Sequence, residues 1–199
     1  MVKDGYLKTP LIIDAFKKID RRDFIAGQER EGAYENIALS IGKKQTISQP
    51  LVVAFMLELL EPKVGEKVLE IGTGSGWNTA LLAELSGENG KVFSIERIEE
   101  LYNFAKGNLG KYGFAEKGIV DLILGDGSMG HEAGAPYDKI IAAASAEEIP
   151  LAWKDQLKIG GRIVAPVKNS ILVIDKIGKD NFETKEYFGF SFVPLIPSR

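Results

Sequence analysis

No cysteine occurs among the 199 residues, which excludes disulfides, thiolate-held zinc and a cysteine nucleophile. Histidine occurs once, at His131, so a histidine cluster is excluded as well. Positive charge is not in excess either. Lys and Arg number 25 against 28 Asp and Glu, a formal charge of −3, and this offers no electrostatic footprint for nucleic acid or an anionic membrane. No apolar run approaches membrane-spanning length, and the opening MVKDGYLKTP has no apolar core of a secretory leader. These absences lead to the expectation of a soluble cytoplasmic monomer without metal, membrane or nucleic-acid partner. Apolar residues, at 45%, are numerous enough to fill the core of a single domain spanning 1–199.

The chain divides into three stretches. Residues 1–48 read as a helical and loop segment: positions 11, 12, 15, 16 and 19 are apolar at helical spacing after Thr9 and Pro10, and 27–46 is polar and irregular. A helix over 49–61 follows, with Pro50 near its start, Pro62 past its end and Ser48 as its N-cap. From there to residue 167, strand patterns at 67–71, 91–95, 119–124, 138–143 and 161–166 alternate with helix patterns at 76–86, 97–110 and 150–158. That alternation predicts a parallel sheet covered on both faces, a doubly wound α/β core over 49–167. Residues 168–199 have no helix pattern; 170–177 and 182–193 read as an antiparallel hairpin around Gly178-Lys179-Asp180-Asn181. The sum is a seven-stranded Rossmann-like sheet.

Within the core, Val68-Leu69-Glu70-Ile71 runs into Gly72-Thr73-Gly74-Ser75-Gly76, ahead of a helix. Alternate glycines permit a turn that closes on a ligand beside a helix N-terminus. The spacing is G-x-G-x-G; Trp77 stands where the last glycine of the dinucleotide fingerprint falls. With an acid two residues before the first glycine, suited to a ligand with a cationic end, the pattern favours S-adenosylmethionine over NAD.

Acids also fall at the ends of the next strands. Glu96 lies 20 residues past Gly76, where a carboxylate can accept from both hydroxyls of a ribose. Asp126, in Gly125-Asp126-Gly127, can face an adenine amino group; each acid also has a plain reading as a turn carboxylate or helix cap. Ser48 lies in Thr46-Ile47-Ser48-Gln49-Pro50, directly before a helix. A capping serine accounts for it structurally, while hydroxyl and helix-start N–H groups together can hold a carboxylate. His131 reads as an exposed loop residue, Arg21-Arg22 and Lys43-Lys44 as solvated charges, and Phe192-Val193-Pro194-Leu195 as the end of an edge strand. Trp77 has two equal readings, on the cofactor or on the sheet. Asn89-Gly90 is the sole Asn-Gly pair, in a turn between helix and strand, and a site for isoaspartate formation.

Taken together, Ala33-Tyr34, Gln45-Thr46-Ile47-Ser48-Gln49-Pro50, residues 68–76, Gly125-Asp126-Gly127, Ala135-Pro136-Tyr137-Asp138, Gln156-Leu157-Lys158 with Gly160-Gly161-Arg162, and Phe192-Val193-Pro194-Leu195 make the chain resemble the protein-L-isoaspartate O-methyltransferases. The glycine loop alone marks class I methyltransferases; the T-I-S-Q-P block is the more specific part. The resemblance implies methyl transfer from S-adenosylmethionine to the α-carboxyl of isoaspartyl residues in damaged proteins and peptides, with Ser48 as the active-site residue. Cofactor contacts are then expected from Gln45, Thr46, Ile47, Glu70, Gly72, Thr73, Gly74, Ser75, Gly76, Glu96, Arg97, Asp126 and Gly127. Departures include Val53, where some relatives carry histidine, and Trp77 in place of tyrosine. The competing readings are a class I methyltransferase acting on RNA or another small molecule, a non-catalytic S-adenosylmethionine-binding adaptor, and an NAD dehydrogenase.

Overall fold

The apolar runs form a seven-stranded sheet in this computed structural model, which describes residues 1–3 and 5–197. In chain order the elements are α1 (Pro10–Lys18), β1 (Leu39–Gly42), β2 (Gln45–Ile47), α2 (Pro50–Leu60), β3 (Lys67–Ile71), α3 (Trp77–Ser86), β4 (Lys91–Glu96), α4 (Glu99–Gly110), β5 (Val120–Leu124), β6 (Tyr137–Ala142), α5 (Leu151–Gln156), β7 (Leu157–Val167), β8 (Ser170–Lys176) and β9 (Phe182–Phe188). The large sheet has the order β5-β4-β3-β6-β7-β8-β9. Strands β5, β4, β3, β6 and β7 are parallel, while β8 pairs antiparallel with both β7 and β9. The chain works outward from β3 to β5, then returns to β6 on the other side of β3. That reversal opens a crevice at the carboxyl ends of β3, β4 and β6.

Alternation along the central strands sends their side chains to two faces. Val68, Val92 and Ile141 join Leu57, Leu81 and Leu109 on one; Leu69, Ile71, Ile95 and Ile140 join Trp153 on the other. Both faces are dry, as parallel strands require. The N-terminal stretch belongs to the first of these cores, since Leu7, Ile12, Ala15, Ile19 and Phe24 are buried in it. Thr9 is the N-cap residue of α1, but its hydroxyl and N–H go to Glu58 of α2, both at 2.8 Å.

Three expectations change. Residues 39–47 carry a small antiparallel hairpin, β1–β2, inside the stretch read as irregular. β7 starts at Leu157 rather than 161, because the Gly160-Gly161 pair is accommodated inside the strand: Gly160 takes φ +83°, the pairing with β6 shifts between Tyr137 and Lys139, and a Cβ on Gly161 would stand 2.9 Å from the Asp138 carbonyl oxygen. β9 ends at Phe188, not 193. Gly189 turns the chain at φ +97°, and residues beyond it run to the carboxyl ends of the strands, where Val193 O accepts from Ser145 N (2.8 Å) and Leu195 N donates to Ser145 O (2.7 Å).

Candidate active site

The glycine turn begins where β3 stops. Gly72, Gly74 and Gly76 take φ of +90°, +57° and +86°, a conformation that other L residues adopt only at a cost. The turn is anchored to β4: the N–H groups of Gly72 and Thr73 both donate to Ile95 O, at 2.9 and 3.2 Å. Gly76 is also the N-cap of α3. A Cβ there would lie 3.2 Å from Leu109 and 3.3 Å from Ala105, so this glycine lets α3 approach α4.

Glu96, the last residue of β4, is 5% exposed and faces the crevice. Its Oε2 accepts from Gly74 N and its Oε1 from Ile98 N, both at 2.9 Å. Each oxygen retains acceptor capacity for a further donor. The carboxylate is therefore held in one orientation at the crevice wall.

Glu70 behaves differently. It is fully buried, and its oxygens accept from Asn78 Nδ2 (2.8 Å), Thr79 Oγ1 (2.5 Å) and Ser94 Oγ (2.6 Å). Burial is the main cause lifting its pKa to about 7, opposed by these hydrogen bonds and reinforced by the charge of Glu96. Glu70 points to the α3 side of the sheet, away from the crevice wall, because strand alternation puts Ile71 and not Glu70 there. Facing the cationic end of a ligand is thus replaced by a different job. Ser94 Oγ lies 2.6 Å from Thr73 Oγ1, so Glu70 braces the turn from beneath through a chain of hydroxyls. Thr73 and Ser75 are likewise buried and are not among the residues lining the crevice.

The crevice encloses about 570 Å³. Gln45, Thr46, Ser48, Gly72, Gly74, Glu96, Arg97 and Gly127 all line it, which brings eight of the expected residues together. Ile47 instead points into the core, and Asp126 accepts from Ser128 N at 2.8 Å as the cap of a short 3₁₀ turn. Gly127 lies against Ile71 so closely that a Cβ would stand 2.4 Å from its methyl group. Sequence reasoning missed Ala143 and Ala144 behind β6, and residues 189–196, which form the opposite rim. Small residues at 142–146 are a usable signal for the first pair: Ala143 Cβ lies 3.7 Å from where a Cβ on Gly72 would be.

Ser48, the expected cap, lies one residue ahead of the actual one. Gln49 is the N-cap of α2, and the first-turn N–H groups are already used: Leu51 N donates to Asn36 Oδ1 at 3.0 Å, while Val52 N and Val53 N donate to Gln49 O. Helix-start N–H groups therefore do not wait for a carboxylate. Ser48 lines the crevice, and among the described residues its hydroxyl has no hydrogen-bond partner.

Other charges and aromatics also move. Arg21 is 4% exposed rather than solvated, its guanidinium turned inward on backbone carbonyls. Trp77 packs edge-on to Phe16 of α1 at 5.7 Å, away from the crevice. His131 is half-buried, its ring 5.3 Å from Phe93 and its backbone N–H donated to Gln156 Oε1 at 2.8 Å. Lys43 forms an ion pair with Glu100.

A carboxylate ready for a ribose, a glycine turn free of Cβ atoms and small alanines opposite them fit a nucleoside-bearing cofactor of S-adenosylmethionine type. Fold and crevice together define a class I S-adenosylmethionine-dependent methyltransferase. Comparison with known proteins narrows the class: the family described as "Protein-L-isoaspartate(D-aspartate) O-methyltransferase" matches residues 1–199, and the chain belongs to it. A protein-L-isoaspartate O-methyltransferase from Archaeoglobus fulgidus is 45% identical over 185 residues, 92% of this chain and 84% of the relative. One from Ignicoccus hospitalis is 42% identical, with 98% and 93% covered. Among solved structures, a protein-L-isoaspartate O-methyltransferase superposes with a TM-score of 0.86 at 30% identity, covering 96% of this chain and 62% of the other. A Plasmodium falciparum structure in complex with S-adenosyl-L-homocysteine shares the fold with a TM-score of 0.86 at 23% identity, covering 98% and 94%.

Proposed function

We propose that this protein repairs damaged polypeptides by transferring the methyl group of S-adenosylmethionine to the α-carboxyl of L-isoaspartyl residues. The observation carrying this reading is the unpartnered Ser48 hydroxyl on the wall of the crevice that Glu96 also faces. When bound, S-adenosylmethionine supplies an electrophilic methyl group. Glu96 takes the ribose hydroxyls, and the glycine turn admits the cofactor backbone-close. Arg97, exposed on the same rim, adds a cation beside the cofactor. Gln45 and Thr46 close the site from the β2 side.

The acceptor needs little chemical help. An α-carboxyl has a pKa of about 3.3–3.7 and is anionic at neutral pH, so no general base is required. Ser48 donates one hydrogen bond to the carboxylate, leaving the other oxygen to attack. Phe190 and Phe192 on the rim exclude water that would otherwise solvate that oxygen. The methyl ester then cyclises as the following backbone nitrogen attacks its carbonyl and methanol leaves, and hydrolysis of the resulting succinimide yields part normal aspartate.

The protein acts in the cytoplasm as a monomer and needs neither nucleic acid, membrane nor metal. The net charge of −3 supports the part of this reading that concerns nucleic acid, and among the described residues no helix is long and apolar enough to cross a membrane. The test of roles is Ser48→Ala: methylation of an isoaspartyl peptide falls while S-adenosylmethionine affinity is retained. Equal loss of cofactor affinity contradicts the assignment.

A further inference from the structure

Arg21 is a buried cation that methyl transfer, as described, leaves unused. It begins a 3₁₀ turn (Arg21–Phe24) far from the glycine loop in sequence. Its Nη1 donates to Ala33 O at 2.7 Å, and its Nη2 to Ile37 O at 2.9 Å and Ser48 O at 3.2 Å. The guanidinium carbon lies 5.3 Å from the centre of the Trp77 ring. Among the described residues no carboxylate forms an ion pair with it. Burial lowers its pKa to about 10, so it is still charged at neutral pH.

As packing, this is a poor solution. Arg21 Nε and Trp77 Nε1 are both buried without an acceptor, and an apolar side chain of similar volume avoids the loss of hydration. What the guanidinium does that an apolar residue cannot is gather loop 33–37 and the carbonyl of Ser48 on one planar fork, a geometry that a lysine ammonium does not reproduce. The same loop is tied a second time, through Asn36 Oδ1 and Leu51 N at 3.0 Å.

We propose that Arg21 is a positioning residue for methyl transfer: by holding the Ser48 carbonyl and loop 33–37, it sets the direction of the Ser48 hydroxyl on the substrate side of the crevice. This rests on the reading that Ser48 engages the substrate carboxylate. It adds that the N-terminal segment orders the acceptor side of the site.

The experiment compares wild type, Arg21→Lys, Ser48→Ala, the double variant and Asn36→Ala, all well below their unfolding temperatures. Peptide kcat/KM and the Kd of S-adenosylhomocysteine are measured for each. Arg21→Lys is expected to lower kcat/KM for an isoaspartyl peptide by about tenfold while leaving the S-adenosylhomocysteine Kd within about twofold. Asn36→Ala, at an exposed residue, gives the same pattern more weakly and carries the test if the Arg21 variant does not fold. In the Ser48→Ala background, Arg21→Lys costs little more, because both act through one hydroxyl. A merely structural role lowers Tm without changing the kinetics of the folded enzyme; that result, or losses that multiply in the double variant, overturns the proposal. Impaired Ser48→Ala beside normal Arg21→Lys and Asn36→Ala removes the Arg21 role alone. Unimpaired Ser48→Ala removes the Ser48 reading and this one with it.

Discussion

Gly74 donates its backbone N–H to Glu96 Oε2 at 2.9 Å, joining the glycine turn after β3 to the carboxylate that ends β4. On the proposed reading of Glu96 as the ribose ligand, the site is set before any ligand arrives. Replacing Glu96 by Gln exchanges one acceptor oxygen for a donor that faces either Gly74 N or Ile98 N. Charge-assisted bonds of this kind are worth roughly 1.5–3 kcal/mol. Glu96→Gln is therefore expected to weaken S-adenosylhomocysteine binding by about tenfold or more, measured by titration calorimetry. Unchanged affinity contradicts the ribose assignment.

Glu70 makes stability depend on pH. Its folded pKa, about 7, lies above the ordinary 4.5, so between these values the folded state holds more protons than the unfolded one. The carboxyl favours the fold at pH 4.5 and below and loses that advantage as pH rises to about 7, by an amount on the order of 3 kcal/mol. Glu70→Gln removes this dependence. Thermal unfolding from pH 5 to pH 8 is expected to show a fall in Tm for wild type and a flatter profile for the variant; parallel profiles contradict the burial argument.

Gly127→Ala places a Cβ 2.4 Å from the Ile71 methyl. Overpacking of this sort costs about 1–3 kcal/mol, and roughly 2–4 °C of Tm per kcal/mol follows for a chain of this size. A Tm equal to that of wild type contradicts the close approach.

Asn89 is exposed in the turn 87–90, where Gly90 N donates to Gly87 O at 3.0 Å. Gly90 is required by the turn, since a Cβ would stand 2.5 Å from Ser86 O, and the same glycine offers little hindrance to attack on the Asn89 side chain. The attacking nitrogen must first leave its turn hydrogen bond. Aged protein is expected to gain isoaspartate at Asn89, faster after partial unfolding, and fresh enzyme with labelled cofactor then methylates it in trans. Label absent from the peptide spanning Asn89, with label elsewhere, contradicts this.

The parallel core was legible because its strands are short apolar runs separated by amphipathic helices, and because Gly72, Gly74 and Gly76 sit at a spacing that only a turn explains. The order of β8 and β9 was not legible, since either partner suits an antiparallel hairpin. β1–β2 escaped notice because its turn places Lys43 and Lys44 at φ 52° and 59°, where an Asn-Gly pair is the usual signal. Phe188, Phe190 and Phe192 continue a strand-like alternation past Gly189 and so concealed the rim of the crevice. Ser48 was read as a cap because the true N–H partner of α2, Asn36, lies 15 residues before Leu51. For the same reason Arg21 reads as solvated: the carbonyls that receive it come from 33, 37 and 48, and nothing local reveals them.

The most direct measurement is transfer of labelled methyl from S-adenosylmethionine to an isoaspartyl peptide, beside the same peptide with normal aspartate. The account predicts a base-labile methyl ester on the isoaspartyl peptide alone, and its conversion in part to the aspartyl form after ester loss. Equal labelling of both peptides, or labelling of neither by protein that binds S-adenosylhomocysteine, contradicts it.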